Sequence, residues 1–326
     1  MQKIKQLILS LPLALATAFA PSQASAQTFP SKPVRWVVPY PAGGGSDFMA
    51  RSVAHLLPAE LGQPVLVDNK PGGNGAVAVS DVVRSPKDGH TLLNVDNGVL
   101  VFNPVLYKNL GYNPSRDLRP VTLLGMLPMI LLVGPGSDAK TAKDFIAQAK
   151  ANPGKISFGS AGAGSPQHMT MELLKKIAGV HMVHIPYRGS APALADLVGG
   201  QIPTLMSDYP ASMGFIKSGK VRPLAVAGPK RLSYLPDVPT FAELGLAEVE
   251  SAAFVGVTVA AGTPDAAVAS MQKAISATLL KPEVTQKYRD AGIEPVVFTP
   301  QQFEQLIQTE NKRWHQIIRQ LNISLD

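Results

Sequence analysis

Pro41-Ala42-Gly43-Gly44-Gly45-Ser46-Asp47 follows a strand-like run at Val34–Pro39 and precedes a helix-like run at Met49–Leu57. Gly159-Ser160-Ala161-Gly162-Ala163-Gly164-Ser165 repeats the arrangement between Ile156–Ser160 and Gln167–Ala178. Glycines let a backbone come close to a ligand, and the helix that follows offers unpaired N–H groups and a positive dipole end. Two such loops predict an anion held between two halves of the chain. The alternative is a pair of tight strand-to-helix turns with no ligand.

Outward from the first loop, apolar strand candidates alternate with helix candidates: Val65–Asn69, then Ala76–Arg84, then Leu92–Asp96. That alternation predicts right-handed βαβ units. A long apolar run follows at Val121–Val133 and a second at Ala252–Ala260. Between them the pattern restarts, with helices expected at Thr141–Lys150 and Ala191–Val198 and strands at Met182–Tyr187, Ile202–Asp208 and Val221–Ala227. Helices are expected at Asp265–Leu280 and Gln301–Leu321, flanking a strand candidate at Glu294–Phe298.

The fold expected is α/β with two lobes, each a mainly parallel sheet flanked by helices, and two crossing strands as the hinge. One lobe would comprise residues 27–125 with 253–326, the other 126–252. The alternative is one large doubly wound sheet with a helical appendix. Ser165-Pro166, Thr263-Pro264 and Thr299-Pro300 each set a hydroxyl cap before a proline at the first helical position. Ser46 or Asp47 is expected to cap the helix after the first loop.

The N-terminus predicts export. Lys3 and Lys5 precede the apolar stretch Leu7–Ala20, and Ala24-Ser25-Ala26 has the small-x-small pattern of a cleavage site. Met1–Ala26 reads as a signal peptide, the mature chain beginning near Gln27 and residing in the periplasm. The apolar stretch falls short of the roughly 20 residues of a membrane span.

Charge and composition narrow the ligand class. The 326 residues carry 30 Lys and Arg against 23 Asp and Glu, a net charge of +7 that favours anions. No Lys/Arg run or basic-aromatic stripe points to nucleic acid. The chain has 0 cysteines, which removes disulfides and thiol chemistry. Gly214–Val221 has the glycine and lysine spacing of a phosphate loop but ends in valine and has its strand on the wrong side. The second glycine loop lacks the last glycine of a dinucleotide fingerprint, so no cofactor is expected. His181 and His184 are expected on opposite faces of a strand, not as a metal pair, and no metal site is expected. There is no His-Glu-x-x-His or Gly-x-Ser-x-Gly. With no nucleophile, base and orienting group in view, the expectation is binding without catalysis.

Tyr40–Asp47, Leu61-Gly62-Gln63-Pro64-Val65, Asn69–Gly75, Ser85–Leu92, Gly159–His168, Tyr187–Leu194, Gly199-Gly200-Gln201, Gly219–Ala225 and Leu235–Thr240 together resemble the receptors of tripartite tricarboxylate transporters, the Bug or TctC family. The resemblance covers essentially the whole mature chain. It implies a periplasmic solute-binding protein whose lobes close on a small carboxylate and deliver it to a permease of large and small membrane subunits. It implies ligand contacts at Tyr40, Ala42, Gly43, Gly44 and Ser46 in the first lobe and at Ser160, Gly162, Gly164, Ser165 and His168 in the second.

Specificity is expected at strand ends, from Asn97, Tyr187 and Asp208, with Arg188 a further candidate. Asp208 fits two roles, a cap for a helix starting near Pro210 or a partner for a ligand ammonium. With no second acid in view near the loops, the expected ligand is a dicarboxylate, aliphatic or aromatic such as terephthalate. Two other classes stay open: an exported hydrolase or transferase using the loops as an oxyanion or phosphate site, and a ligand-carrying partner of a sensor-kinase ectodomain.

Overall fold

The structure, a computed structural model, describes residues 29–325, so the expected signal peptide lies outside the described residues. β1 (Val34–Val38) leads into α1 (Gly45–Ala54) and the single turn α2 (Pro58–Leu61). β2 (Val65–Asn69) leads into α3 (Ala76–Arg84), and β3 (Thr91–Asp96) into a π-helical turn at Gly98–Phe102, the short helices α4 (Asn103–Leu106) and α5 (Pro114–Asp117), and β4 (Leu118–Pro128). The second half runs β5 (Ile130–Val133), α6 (Ala142–Ala151), β6 (Ser157–Ser160), α7 (Pro166–Ala178), β7 (Val183–Pro186), α8 (Ser190–Val198), β8 (Thr204–Ser207), α9 (Tyr209–Lys217) and β9 (Arg222–Val226). The chain then returns through β10 (Ala252–Ala260) to α10 (Asp265–Leu279), α11 (Pro282–Asp290) and α12 (Pro300–Leu321).

Two five-stranded sheets form, ordered β2-β1-β3-β10-β4 and β7-β6-β8-β5-β9, which rules out the single large sheet. β1 pairs parallel with β2 and β3, and β6 with β7 and β8. β10 runs antiparallel to both β3 and β4, and β5 to both β8 and β9. In each sheet four strands therefore point one way, and the reversed one is a strand that has crossed from the other lobe.

The expected run Val121–Val133 is two strands. The chain changes sheets at Met129, between β4 and β5, and returns at Ser251, before β10. There Met129 N–H donates to Ser251 O (3.3 Å), Ala227 N–H to Met129 O (2.8 Å) and Ser251 N–H to Ala227 O (2.7 Å). Both crossings are thus tied together in the backbone.

Three local expectations are corrected. Glu294–Phe298 is not a strand, because Phe298 O accepts from the side chains of Thr122 (2.8 Å) and Gln272 (3.1 Å) and from no neighbouring ladder. Thr263 does not cap α10; its hydroxyl donates to Ala260 O (2.8 Å). Neither Ser46 nor Asp47 caps α1, whose N-cap is Gly44. Ser165 does cap α7, accepting from His168 N–H (3.3 Å), and Thr299 forms a capping box with Gln302.

Candidate functional site

Helices α1, α7, α8 and α9 each follow a parallel strand, so their N-termini all emerge at the carboxyl ends of the strands, where open α/β sheets bind ligands. The two lobes face each other across those ends. α1 contributes Gly44, Gly45 and Ser46, α7 contributes Pro166 and Gln167, α8 contributes Ser190, and the N-cap of α9 is Asp208. All of them line one inner chamber of about 30 Å³, closed further by Tyr40, Asp96 and Ala161. That is room for a single water-sized group. Four helix N-termini converge on it.

An outer cleft of about 560 Å³ adjoins the chamber, with Tyr40 and Ala161 lining both. Its walls are Pro39–Pro41, Pro71–Asn74 and Tyr107 from one lobe and Ala161–Ala163 and Pro186–Arg188 from the other. A larger hollow of about 760 Å³ lies between the α4–α5 connection and α12. It touches only first-lobe residues and none of the four helix starts.

The first loop is held from behind. Asp47 accepts from Gly43 N–H (3.1 Å), Arg51 Nε (3.0 Å) and Asn69 Nδ2 (2.8 Å), so its charge is used inside the loop. Ser46 Oγ accepts from Asn94 Nδ2 (2.8 Å), and Asn94 Oδ1 accepts from Trp36 Nε1 (3.2 Å). Tyr40 OH donates to Asn74 Oδ1 (3.3 Å). Burial first, and the neighbouring Asp96 second, push its phenol well above the ordinary value. Gly44 and Ser46 thus face the chamber, whereas Ala42 and Gly43 are exposed at its rim and line neither cavity.

The second loop closes on itself. Ser160 Oγ donates to Gly162 O (3.0 Å), accepts from Gly162 N–H (3.2 Å) and sits 2.7 Å from His184 Nε2. Gly164 N–H donates to His168 Nδ1 (3.0 Å), which assigns the remaining ring proton to Nε2. The His168 ring stacks on His184 at 3.8 Å between centroids, and His184 on Phe158 at 4.9 Å. Burial, aided by His184 and Lys175, pulls His168 down to about 3; burial and Lys175 pull His184 down to about 4. Both rings are neutral struts.

His168, Gly164, Ser165 and Ser160 therefore shape the loop and line neither the inner chamber nor the outer cleft, contrary to the expected direct contacts; Gly162 lines the cleft. The Ser160–His184 pair has the spacing of a nucleophile and base. Yet Ser160 is buried, its hydroxyl is shared with both backbone groups of Gly162, and His184 is otherwise stacked between the rings of His168 and Phe158.

Asn97 is also corrected. It is fully buried with Oδ1 accepting from Phe254 N–H (2.8 Å) and Nδ2 facing Glu310 (3.4 Å), which ties β3 to β10 and α12 away from both cavities. Tyr187 lines the outer cleft but its hydroxyl donates to Asp196 (2.7 Å). Burial first, then Asp196, push that phenol to about 12.

Asp208 takes the cap role, accepting from Ala211 N–H (3.0 Å), and also lines the chamber. Burial pushes its carboxyl up. Asp96, which the sequence reading missed, faces the same chamber from the other lobe, accepts from Val99 N–H (3.1 Å) and is also pushed up by burial. The premise that Asp208 stands alone does not hold. Gln167 was missed too; its Nε2 reaches Ser190 Oγ (3.3 Å) and Asp208 Oδ2 (3.5 Å), leaving its buried Oε1 without a partner. Such an orphaned acceptor costs about 1–3 kcal/mol. Among the described residues no cluster of His, Asp and Glu is arranged to hold a metal ion.

Two α/β lobes, joined by crossing strands and meeting at opposed helix N-termini, define a two-lobed solute-binding protein. The chain belongs to the tripartite tricarboxylate transporter family receptors: that family's model, TctC, matches residues 49–323. It is 33% identical over 321 residues to the protein BugT of Bordetella pertussis, covering 98% of each chain. Among solved structures it is similar to Rpa4515 of R. palustris with adipate (33% identity, TM-score 0.88, 91% of this chain and 99% of that one). It is also similar to MatC of Rhodopseudomonas palustris with bound malate (30% identity, TM-score 0.86, 89% and 100%). The family and fold are those of periplasmic binding proteins, and no helix among the described residues is long and apolar enough to cross a membrane.

Proposed function

We propose that this protein is exported to the periplasm, captures a small carboxylate between its lobes and delivers it to a tripartite permease of large and small membrane subunits. The observation that carries the reading is the convergence of the α1, α7, α8 and α9 N-termini, from both lobes, on one chamber. Backbone N–H groups and helix dipoles bind an anion without a cation, and each charge-assisted hydrogen bond contributes roughly 1.5–3 kcal/mol. On this reading Gly44, Ser46 and Tyr40 hold the ligand from one lobe and Gly162, Tyr187 and Asp208 from the other, while Ser160, Gly164, Ser165 and His168 keep the second loop in shape. The moving bodies are residues 27–125 with 253–326 and residues 126–252, pivoting near Met129 and Ser251. A dicarboxylate draws its support from the adipate and malate carried by the two relatives.

The test is a thermal-shift screen of the mature chain, freed of carried-over ligand, against mono-, di- and tricarboxylates and amino acids. An acid at 100 times its dissociation constant stabilises by about 2.7 kcal/mol, a shift of a few degrees for a chain this size. No shift with any acid refutes the reading; turnover of the bound acid would replace it with the enzyme alternative.

A further inference from the structure

The hollow of about 760 Å³ between the α4–α5 connection and α12 lies outside the ligand site. Among the described residues it shares Tyr107 with the outer cleft and none with the inner chamber. Two polar atoms border it without a hydrogen-bond partner among the described residues: Oγ1 of Thr258, a fully buried residue of β10, and the buried Oδ1 of Asn311 on α12. Other buried threonines return their hydroxyls to a carbonyl, Thr122 to Phe298 O (2.8 Å), Thr204 to Leu132 O (2.7 Å) and Thr278 to Ala274 O (2.8 Å). Leaving such a group unpaired costs stability, so native structures seldom do it. Two of them, from separate elements, border the same space.

The rest of the lining sets the chemistry of an occupant. Pro104, Tyr107, Tyr112 and Pro114 offer flat apolar faces, and Tyr112 turns its hydroxyl away, donating to Val99 O (2.9 Å). Such faces suit an aromatic ring. Lys108 and Glu304 bring one charge of each sign, and Arg116 is bound to both oxygens of Asp117 (2.7 and 2.9 Å). His315 Nε2 donates to Val101 O (3.0 Å), and burial draws its pKa down, so the ring is neutral. Neither sign of ligand charge is favoured. Asn311 Oδ1 accepts only, whereas the Thr258 hydroxyl can also donate.

We infer that this hollow is a second small-molecule site, carried by the first lobe alone, for an aromatic carboxamide. The amide N–H groups donate to Asn311 Oδ1, the amide oxygen accepts from the Thr258 hydroxyl, and the ring lies on the tyrosine and proline faces. A carboxylate has no donor for Asn311, which separates this site from the anion-binding one between the lobes.

The probe is benzamide, compared with N,N-dimethylbenzamide, which lacks the N–H donors, and with benzoate. Binding is followed by ligand-observed NMR on the mature chain, with and without the most strongly stabilising acid of the screen. Benzamide should bind in both states with a dissociation constant of about 10 mM or tighter, the low end of ligand efficiency for so small a molecule. N,N-dimethylbenzamide, and benzoate with the acid in place, should be weaker by at least about threefold. Thr258→Val keeps the shape and removes the orphaned hydroxyl: the probe-free chain should keep or raise its melting temperature, and benzamide should bind about 2- to 10-fold more weakly, the worth of one hydrogen bond. Asn311→Leu should weaken benzamide similarly and stands in if the first variant fails to fold. No binding of benzamide, equal binding of N,N-dimethylbenzamide, or loss of benzamide when the acid is bound overturns the inference. So does a lowered melting temperature for folded Thr258→Val, which would show that its hydroxyl already has a partner in an ordered water.

Discussion

Gly45→Ala separates closure of the lobes from folding of the chain. The added Cβ would stand 2.4 Å from Asp208 Oδ1, 2.8 Å from its Cγ and 3.0 Å from Leu127 Cδ1. The Asp208 carboxylate must retreat by about 1 Å to reach ordinary contact, which draws it off Ala211 N–H, a cap worth about 1 kcal/mol. Since Asp208 belongs to the opposite lobe, an open form escapes that clash, and alanine is the better residue in a helix by up to about 1 kcal/mol. The ligand-free chain should therefore keep or raise its melting temperature. The closed, ligated form loses about 1–2 kcal/mol, which reads as a roughly 5- to 30-fold weaker dissociation constant. Calorimetry with the most strongly stabilising acid of the screen gives the affinity, and thermal unfolding gives the stability. Gly44→Ala is the control in the same loop: its Cβ would meet Ser190 Oγ at 3.7 Å, ordinary contact, and affinity should stay within about twofold. An unchanged affinity for Gly45→Ala, or a drop in melting temperature matching the loss of affinity, would refute the argument that this glycine marks a contact made on closure.

The neutral histidine stack should make stability fall with acid. His168 and His184 titrate at about 3 and about 4 in the fold against about 6.5 unfolded, so their contribution is complete above pH 6.5 and is lost as pH falls toward 4. The enclosed His168 gives a slope of up to about 1.4 kcal/mol per pH unit and the less buried His184 somewhat less. His184→Phe should flatten the measured slope of unfolding free energy between pH 6.5 and 5, and an unchanged slope would show that the ring is not held neutral. Asn97→Ala tests a role reassigned from ligand to framework: Phe254 N–H loses its buried acceptor at 2.8 Å, and denaturant unfolding should report a loss of about 1–3 kcal/mol. The ranking of acids in the screen should not change; a changed ranking would restore Asn97 to the ligand.

Local elements were legible where their burial is local. β2 at Val65–Asn69 and α3 at Ala76–Arg84 coincide with the expected bounds because turn-forming glycine and proline flank both. Val121–Val133 was legible as a run that crosses between lobes, but not as two strands broken at Met129, because β4 and β5 are each buried and hydropathy does not register where one ladder ends and the next begins. α11 went unread because its sole buried side chains are Val284 and Tyr288, too narrow a stripe for a periodic signal. At the site, the glycines announced where the helices start. The direction of a ring or carboxylate is decided by partners far along the chain, so His168 was aimed at the ligand when Gly164 and His184 hold it elsewhere. Asp96 escaped notice because its chamber exists only when Asp208 and Gln167, more than seventy positions away, face it.

The strand orders explain how such distant residues meet. β4 is an edge strand of the first sheet and continues as β5, an inner strand of the second; β9 is an edge strand of the second sheet, and the chain returns from it as β10, an inner strand of the first. Each sheet is completed by a strand arriving from the other lobe, so the lobes cannot separate without breaking ladders on both sides of β5 or β10. Rotation is cheaper, because only the short crossings at Met129 and Ser251 need change, and their mutual hydrogen bonds keep the two in step. The proposed pivot would lie beside the chamber, where Leu127 at the end of β4 and Ala253 and Val255 of β10 form part of the wall. A small rotation about that proposed pivot would move Asp208 and Gln167 relative to Gly45 and Asp96, so the chamber they share would be complete only with the lobes shut.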